Sequence, residues 1–147
     1  WNWKLPHSRE VNACIGSYPR EFEVWKALSK RPVEELAAEG DSIVRANDID
    51  VQRLLSTSHR VRVGAQAVEA VNSAQNRANI GHELATRARF EEPWGCVYRI
   101  DGMRVHASLY SIGDFDVSTI AGDYGGGGHR NASGFSVSID DWLETFL

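Results

Sequence analysis

Hydrophobic side chains recur at helical spacing through the first third of the chain. After Pro32, apolar or small residues follow at intervals of three or four, which predicts a long amphipathic helix to about Ser56. Pro32 suits the first turn of a helix because its fixed φ and missing N–H cost nothing there. Since this helix separates two segments of different composition, we predict that residues 32–58 are a linker.

Two shorter helices are predicted before the linker. Ser8 can cap a helix that runs to about Ile15, and Gly16 with Pro19 closes that segment. A second short helix presents one apolar face, made of Phe22, Trp25 and Leu28. Residues 1–31 are therefore expected to be helical.

Beyond Ser58 the hydrophobic period shortens to two, which is typical of strands. Strands are predicted over 60–63, 67–71, 94–100, 103–109 and 135–139, and helices over 79–88 and 116–121, with Trp142, Phe146 and Leu147 on a closing helix. Asp101-Gly102 favours a two-residue type I′ hairpin turn. We predict an α/β fold, a mixed sheet with a β-hairpin and flanking helices, preceded by a long helical linker.

Composition and charge limit what such a domain can bind. The 147 residues are 42% hydrophobic and carry a formal net charge of −4, so the chain can bury a core but has no overall basic field. A nucleotide or nucleic acid must then be held by a local pocket. No lysine occurs after Lys30, so the basic side chains beyond it are arginines. This bias fits either genome composition or recognition of phosphate by guanidinium groups.

The two cysteines and the hydropathy of the chain indicate the compartment in which we expect the protein to fold. Cys14 and Cys96 form no C-x-x-C pattern, so we expect buried free thiols in a reducing compartment, with neither a disulfide nor a zinc site. No apolar run approaches the roughly 20 residues that span a bilayer, and no signal peptide is present. We expect a cytoplasmic protein without a membrane contact. Two tryptophans at the start of the sequence, Trp1 and Trp3, would normally need a partner surface, and no initiator methionine precedes them, so we expect a chain cut from a longer one.

The run from Gly125 to Phe135 concentrates the candidate chemistry. Four consecutive glycines lose much conformational entropy on folding, so a compact domain needs a reason to carry them. One reason is a flexible surface turn. Another is a backbone that approaches a ligand closely and aims amide N–H groups at an anion, with His129 and Arg130 as further donors. The run has neither the lysine of a P-loop nor the spacing of a dinucleotide fingerprint.

Histidine offers three roles at His129, which are metal ligand, general acid and phosphate donor. Phosphate contact fits best because the other histidines fall in no metal-ligand pattern. Solvated or structural roles are expected for His7, His59 and His82. The role of His106, on the returning strand of the hairpin, stays open.

Three aspartates before the glycine run invite a metal interpretation, namely Asp114, Asp116 and Asp123. Capping of the helix that follows by Asp114 or Asp116 is the better explanation, since its N-terminal dipole favours an acceptor. Pocket-lining polar residues are expected from the strand regions, at Ser108, Ser111, Asn72 and Ser73. We identify no nucleophile–base pair and no carboxylate dyad.

The motifs near the C-terminus resemble the C-terminal, DHH-associated domain of the DHH-family phosphoesterases. These motifs are the 116–121 segment, the Gly-Gly-Gly-His run at 126–129 and the Ala-Ser-Gly-Phe run at 132–135. The family includes oligoribonucleases, single-strand exonucleases and cyclic-dinucleotide hydrolases. By this resemblance, 1–31 is the end of the catalytic domain, 32–58 the interdomain helix and 59–147 the substrate-binding domain.

The resemblance implies where catalysis would occur. In the family, manganese-type ions held by aspartates and histidines of the N-terminal lobe activate the water that attacks the phosphodiester. Those motifs are missing from this sequence. It follows that the chain itself has no catalytic residue, metal ligand or cofactor. Mn²⁺ or Mg²⁺ would belong to the intact enzyme and its missing N-terminal catalytic domain.

The resemblance also implies a set of binding residues. The family's loop contacts substrate phosphate, and it corresponds here to Gly126, Gly127, Gly128 and His129, with Arg130 beside them. Some relatives have Ser-x-Arg-Ser on the preceding strand, where the arginine touches substrate. This chain has Ser108 in that motif but Tyr110 in place of the arginine, and stacking on a base could replace that contact.

We therefore expect the substrate-binding part of a metal-dependent phosphoesterase, which takes a nucleotide or a short single-stranded oligonucleotide. Alone, it should bind weakly and hydrolyse nothing. The alternative is a free-standing nucleic-acid-binding module without hydrolytic activity, like the related domain appended to some alanyl-tRNA synthetases. A purely structural or dimerising domain would leave the glycine run unexplained.

Overall fold

A computed structural model describes residues 5–147, so the prediction made on Trp1 and Trp3 lies outside the described residues. The helices are α1 (Ser8–Ser17), α2 (Phe22–Leu28), α3 (Val33–Leu55), α4 (Arg77–Arg87), α5 (Val117–Asp123) and α6 (Ile139–Thr145). The strands are β1 (His59–Val63), β2 (Gln66–Asn72), β3 (Trp94–Asp101), β4 (Arg104–Ser111), β5 (Gly127–His129) and β6 (Ala132–Ser138). The predicted α/β class with a mixed sheet is confirmed, and β5 is a strand that was not predicted.

The chain divides into two compact units between Asp50 and Val51. This division falls inside α3, and the three-part organisation into 1–31, 32–58 and 59–147 stays a prediction. Both cysteines are buried and free, as predicted, and burial raises the pKa of the Cys96 thiol to about 12. No helix in the range 5–147 is long and apolar enough to cross a membrane.

The helices of the N-terminal unit pack around a small core. Its buried members are Cys14, Leu28 and Leu36. The apolar face predicted for α2 is wrong at two of its three positions, because Phe22 is 74% exposed and Trp25 is 46% exposed. Instead, Val24 and Leu28 pack on this core, at the i, i+4 spacing that places two side chains on one face of a short helix.

The start of α1 also differs from the prediction. His7, not Ser8, is the N-cap residue, and it adopts a left-handed backbone with φ 58°. No side chain caps the helix there, and α1 begins one residue earlier than expected. Further along, α1 and α3 approach so closely that a Cβ added to Gly40 would lie 1.9 Å from the backbone oxygen of Glu10.

The C-terminal unit is built on one six-stranded sheet with the order β1-β2-β3-β4-β6-β5. The β2–β3 pair is parallel, with α4 in the connection, and the remaining neighbours are antiparallel. Because β5 ends this order, its pairing within the described sheet is to β6 alone. The glycine run thus contributes an edge strand rather than only a loop.

Alternation along β4 separates the two faces of the sheet. Val105, Ala107 and Leu109 point into a core that includes Trp142 and Phe146 from the C-terminal end of the chain. The opposite face has a smaller core made by the end of α3, α4 and the central strands, comprising Val51, Leu55, Val71, Ile80, Leu84 and Val97. Ser108 and Tyr110 belong to this second face.

The hairpin turn between β3 and β4 lies one residue later than predicted. Asp101 pairs with Arg104, so Gly102 and Met103 form the two-residue loop. Gly102 has φ 57°, whereas Met103 is not among the residues with positive φ. That combination fits a type II′ turn with glycine first, instead of the predicted type I′ turn. At the chain end, Trp142 and Phe146 are buried as expected, but Leu147 lies beyond α6 and is 62% exposed.

Candidate functional site

The glycine run begins as the end of α5. The amide of Gly125 donates to the Gly122 oxygen over 3.0 Å, and the amide of Gly126 donates to the Ala121 oxygen over 2.9 Å. Gly125 has φ 72°, the left-handed conformation that often ends a helix. The first two glycines therefore close a helix before the edge strand starts.

Gly126 and Gly128 are required by the packing of the protein itself. A Cβ added to Gly126 would lie 2.2 Å from the backbone oxygen of Gly134. At Gly128, φ is 147° and an added Cβ would lie 2.6 Å from the Cα of Ser133. These two glycines allow the run to press against β6, so part of the glycine content has a structural explanation.

Gly127 has different surroundings from the glycines on either side. A Cβ added there would meet no atom within 4 Å, so the residue faces open space. It lies in β5, whose outer side has no neighbouring strand among residues 5–147. An edge strand leaves a row of backbone N–H and C=O groups without partners in the sheet, and such N–H groups can bind an anion.

His129 ends β5 and Arg130 follows in the turn. His129 is exposed, and its side chain makes no hydrogen bond or ion pair within the described chain. The Arg130 guanidinium lies 3.2 Å from the Asp114 carboxylate, with both side chains largely in solvent. Exposed pairs of this kind contribute little stability, so Arg130 can exchange Asp114 for another anion. Both residues predicted as donors are therefore accessible.

Asn131 fixes the turn from which those donors project. Its amide Nδ2 donates to the Ser111 hydroxyl over 3.0 Å and to the Gly113 oxygen over 3.1 Å. The Arg130 oxygen accepts from the Val117 amide over 2.9 Å. Hydrogen bonds to the stretch from the end of β4 to the start of α5 thus hold the tip of the β5–β6 hairpin, which orients His129 and Arg130.

The strand register places Ser108 and Tyr110 in the same rows of the sheet as Gly127 and His129 of β5, which we call the glycine strand. Ser108 pairs with Gly134, which pairs with Gly127. Tyr110 lies in the next row, opposite Ala132, which pairs with His129. Residues almost twenty positions apart in the sequence therefore share one face of the sheet, as a common site requires.

Tyr110 is less available for stacking than the sequence suggests. Its ring lies against the backbone of α4, where a Cβ added to Gly81 would lie 2.1 Å from the ring carbon Cδ2. Tyr110 also packs with the core on this face of the sheet and is only partly exposed. The ring is held by α4, which gives it a structural role beside any contact with a ligand.

Arg77 is a residue of this face that sequence reasoning missed. It is the first residue of α4, and its Nη1 lies 3.4 Å from the Ser108 hydroxyl oxygen. No periodicity or motif connects Arg77 with Ser108, since the contact depends on how α4 packs on the sheet. Only the general excess of arginine hinted at such a residue.

The aspartate alternatives are now distinguishable. Asp116 is the N-cap of α5 and accepts hydrogen bonds from the Ser118 amide, at 2.9 Å, and the Ser118 hydroxyl, at 2.6 Å. These hydrogen bonds lower the pKa of the Asp116 carboxyl. In the range 5–147, no group of three or more His, Cys, Asp or Glu could hold a metal ion. The Mn²⁺ or Mg²⁺ implied by the resemblance thus has no ligand set among these residues.

Two further histidines, His59 and His106, have different surroundings: His59 packs on a core residue, and His106 lies on the same face of the sheet as Ser108. The His59 Nε2 lies 3.2 Å from the Tyr98 hydroxyl, and the two rings pack edge to face, which agrees with a structural role. His106 lies on β4 two residues before Ser108, so alternation places it on the same face. It pairs there with Ser136 of β6.

The sequence of the chain was compared with family models and with curated proteins. No family model matches the chain. An uncharacterised protein of Acanthamoeba polyphaga mimivirus is 27% identical over 146 residues, which cover 94% of this chain and 34% of the viral protein. The chain therefore spans about a third of the length of that curated relative.

Two solved structures resemble the chain. A pGpG-specific phosphodiesterase, PggH of Vibrio cholerae, matches with a TM-score of 0.58 at 12% identity, over 94% of this chain and 53% of that one. An exopolyphosphatase-related protein of Bacteroides fragilis matches with a TM-score of 0.50 at 19% identity, over 85% of this chain and 42% of that one. At such identities the likeness is one of fold, and it supports a fold like that of the DHH phosphoesterases.

Proposed function

We propose that the C-terminal unit binds the phosphate of a nucleotide or short single-stranded oligonucleotide at the outer edge of β5. In this proposal it is the substrate-binding domain of a DHH-family phosphoesterase. The Mn²⁺ or Mg²⁺ centre would lie in a catalytic domain outside this chain. The free-standing binding module named above would use the same face without hydrolysis.

The observation that carries this proposal is the open space beside Gly127, two residues before the exposed His129 on the same edge strand. Gly127 offers backbone without a side chain at an unpaired strand edge, and His129 offers a side chain with no partner in the described part of the protein. Backbone N–H groups and a ring N–H are donors suited to phosphate oxygens. A surface turn alone would need neither feature.

The comparisons support a phosphate-containing ligand as the substrate class, but they do not identify the particular substrate of this chain. One structural neighbour is a pGpG-specific phosphodiesterase, and pGpG is a nucleotide. The other is related to exopolyphosphatases, whose name also points to phosphate chemistry. A phosphate-binding role for the shared fold agrees with both.

The test is a binding titration of the chain with a 5′-mononucleotide and a short single-stranded oligonucleotide. We expect His129→Ala to weaken binding of both by about ten-fold or more, since a hydrogen bond to a charged group contributes about 1.5–3 kcal/mol. His82→Ala is the matched control, because His82 is an exposed histidine of α4 and lies on none of the strands β4, β5 and β6. Equal affinities for the wild-type chain and His129→Ala would refute the proposal.

A further inference from the structure

Two arginines of the edge strand β1 have no acidic partner. Arg60 and Arg62 alternate with the buried Val61 and Val63, so the two guanidinium groups share the other face of the strand. The residue opposite Arg62 on β2 is Ala67, which carries no charge. Neither arginine side chain forms an ion pair or a hydrogen bond within residues 5–147. They are therefore a local positive charge in a chain whose formal net charge is −4.

The surroundings of Glu69 explain why Arg60 stays unpaired. Glu69 lies directly opposite Arg60 on β2, where a carboxylate would ordinarily bind the arginine. However, its Oε1 accepts from the Ser58 hydroxyl over 2.6 Å and lies 3.4 Å from Arg87 and 3.5 Å from Arg89. Because these residues hold the carboxylate, Arg60 keeps its charge available to a partner.

The backbone of β1 also has free groups at its outer edge. In the described sheet β1 pairs with β2 alone, and the Arg62 amide donates outward to the Phe146 oxygen over 2.8 Å. Because backbone groups alternate in direction along a strand, the N–H and C=O of Arg60 point the same way. Beside this edge, residues 60–62 together with Thr145 and the exposed Leu147 line a groove of about 280 Å³. An extended segment can therefore hydrogen bond here as a further strand.

The chemistry of this edge distinguishes among possible occupants. A second copy of β1 would bring arginines against arginines, and like charges directly opposite destabilise a strand pair. The phosphates of a nucleic acid would meet the outward carbonyl oxygens of Arg60 and Arg62, which are acceptors and offer phosphate nothing. A peptide strand pairs with the backbone groups, and its carboxylates bind the guanidinium groups. Alternate apolar side chains of that strand suit a groove with Leu147 in its wall.

We propose that the outer edge of β1, with Arg60 and Arg62, docks an acidic extended segment of a protein partner. The segment adds a strand beside β1, and two of its carboxylates, two residues apart, bind the two guanidinium groups. This surface lies at the opposite end of the strand order from the glycine strand. It is therefore independent of the proposed phosphate site.

The experiment titrates the chain into a dye-labelled, capped peptide in which valine and glutamate alternate, followed by fluorescence anisotropy. We expect saturable binding that weakens about ten-fold when glutamine replaces glutamate, as for charge-assisted hydrogen bonds. The double variant Arg60→Gln, Arg62→Gln should bring the ratio of the two affinities close to one. Arg20→Gln with Arg45→Gln, at exposed arginines outside β1, is the charge-matched control and should keep the ratio.

A third peptide, N-methylated at its glutamates, separates strand addition from general charge attraction. The residue opposite Arg60 in an antiparallel pair would bond to its backbone and share its face, so methylation there should weaken binding about ten-fold. Undiminished binding of the methylated peptide, an unchanged ratio in the double variant, or no binding of the glutamate peptide would each overturn the proposal. Stronger competition by a single-stranded oligonucleotide than by unlabelled peptide, or a dimer of the chain that the double variant abolishes, would assign the edge to another occupant and overturn it too.

Discussion

Gly126, Gly127 and Gly128 are consecutive, yet the space around each Cα differs. Backbone atoms of β6 occupy the Cβ positions of Gly126 and Gly128, whereas the Cβ position of Gly127 is empty. A side chain at the outer two must displace backbone, which is costly in a packed structure. The same side chain at Gly127 would meet only solvent or a ligand.

Alanine substitutions along the run should therefore separate folding from binding. We predict that Gly126→Ala and Gly128→Ala each lower the free energy of unfolding by about 1–3 kcal/mol, through overpacking against β6. Gly127→Ala should change it by no more than about 0.5 kcal/mol. Urea unfolding of the three variants and the wild-type chain measures this.

Nucleotide binding by Gly127→Ala then tests the backbone approach. We expect weaker binding, since the new methyl group would stand where a phosphate approaches the strand edge. Undiminished affinity in a fully folded Gly127→Ala variant would mean that the ligand does not approach this backbone. A destabilisation of Gly127→Ala equal to that of its neighbours would contradict the packing described for the run.

At the scale of elements, α5 leads directly into the glycine strand, and Asp116 starts that helix. Hydrogen bonds from Ser118 lower the pKa of the Asp116 carboxyl in the folded chain. A carboxyl whose folded pKa is lowered stabilises the fold above its unfolded pKa, and that contribution is lost as pH falls through the folded pKa. The charged form of Asp116 therefore favours the folded state at neutral pH.

We predict that Asp116→Asn lowers Tm at neutral pH, because the amide keeps an acceptor oxygen but loses the charge at the helix start. The difference in Tm between the two proteins should persist down to about pH 4, the ordinary aspartate range, and shrink below it. Thermal unfolding followed by circular dichroism at several pH values checks this. A difference that does not vary with pH would show that charge at Asp116 has no part in stabilising α5.

Element boundaries show what the sequence can predict and where prediction stops. Periodicity located the long helix, the central hairpin and α5, because their apolar spacing is regular. It missed β5, since glycine has low strand propensity and this strand exists by pairing with β6. The hairpin turn was off by one residue, since both Asp101-Gly102 and Gly102-Met103 offer glycine with positive φ and cross-strand register decides between them.

The candidate site shows the same limit. The residues from Gly126 to Arg130 are contiguous, so a local motif could identify them, and the strand motif could suggest Ser108 and Tyr110. The position of Arg77 beside Ser108 and the contact of Tyr110 with Gly81 arise from the packing of α4 on the sheet. Such contacts between distant segments leave no periodic signal in a single sequence.

For the whole molecule, we propose that one sheet edge of the C-terminal unit binds phosphate. The unit has its own core, and the donors proposed for the ligand lie on one face and one edge of its sheet. The chain spans about half of the phosphodiesterase whose fold it shares and a third of its viral relative. In the proposed function, the part that this chain contributes is the binding of phosphate.

The most direct test is an amide ¹H–¹⁵N NMR titration of the chain with a 5′-mononucleotide, with the unphosphorylated nucleoside as the control. We expect saturable shift changes at the amides of Gly127, Gly128 and His129 with the nucleotide, and much smaller ones with the nucleoside. Saturable changes that avoid β5, or equal changes with nucleotide and nucleoside, would contradict phosphate binding at this edge.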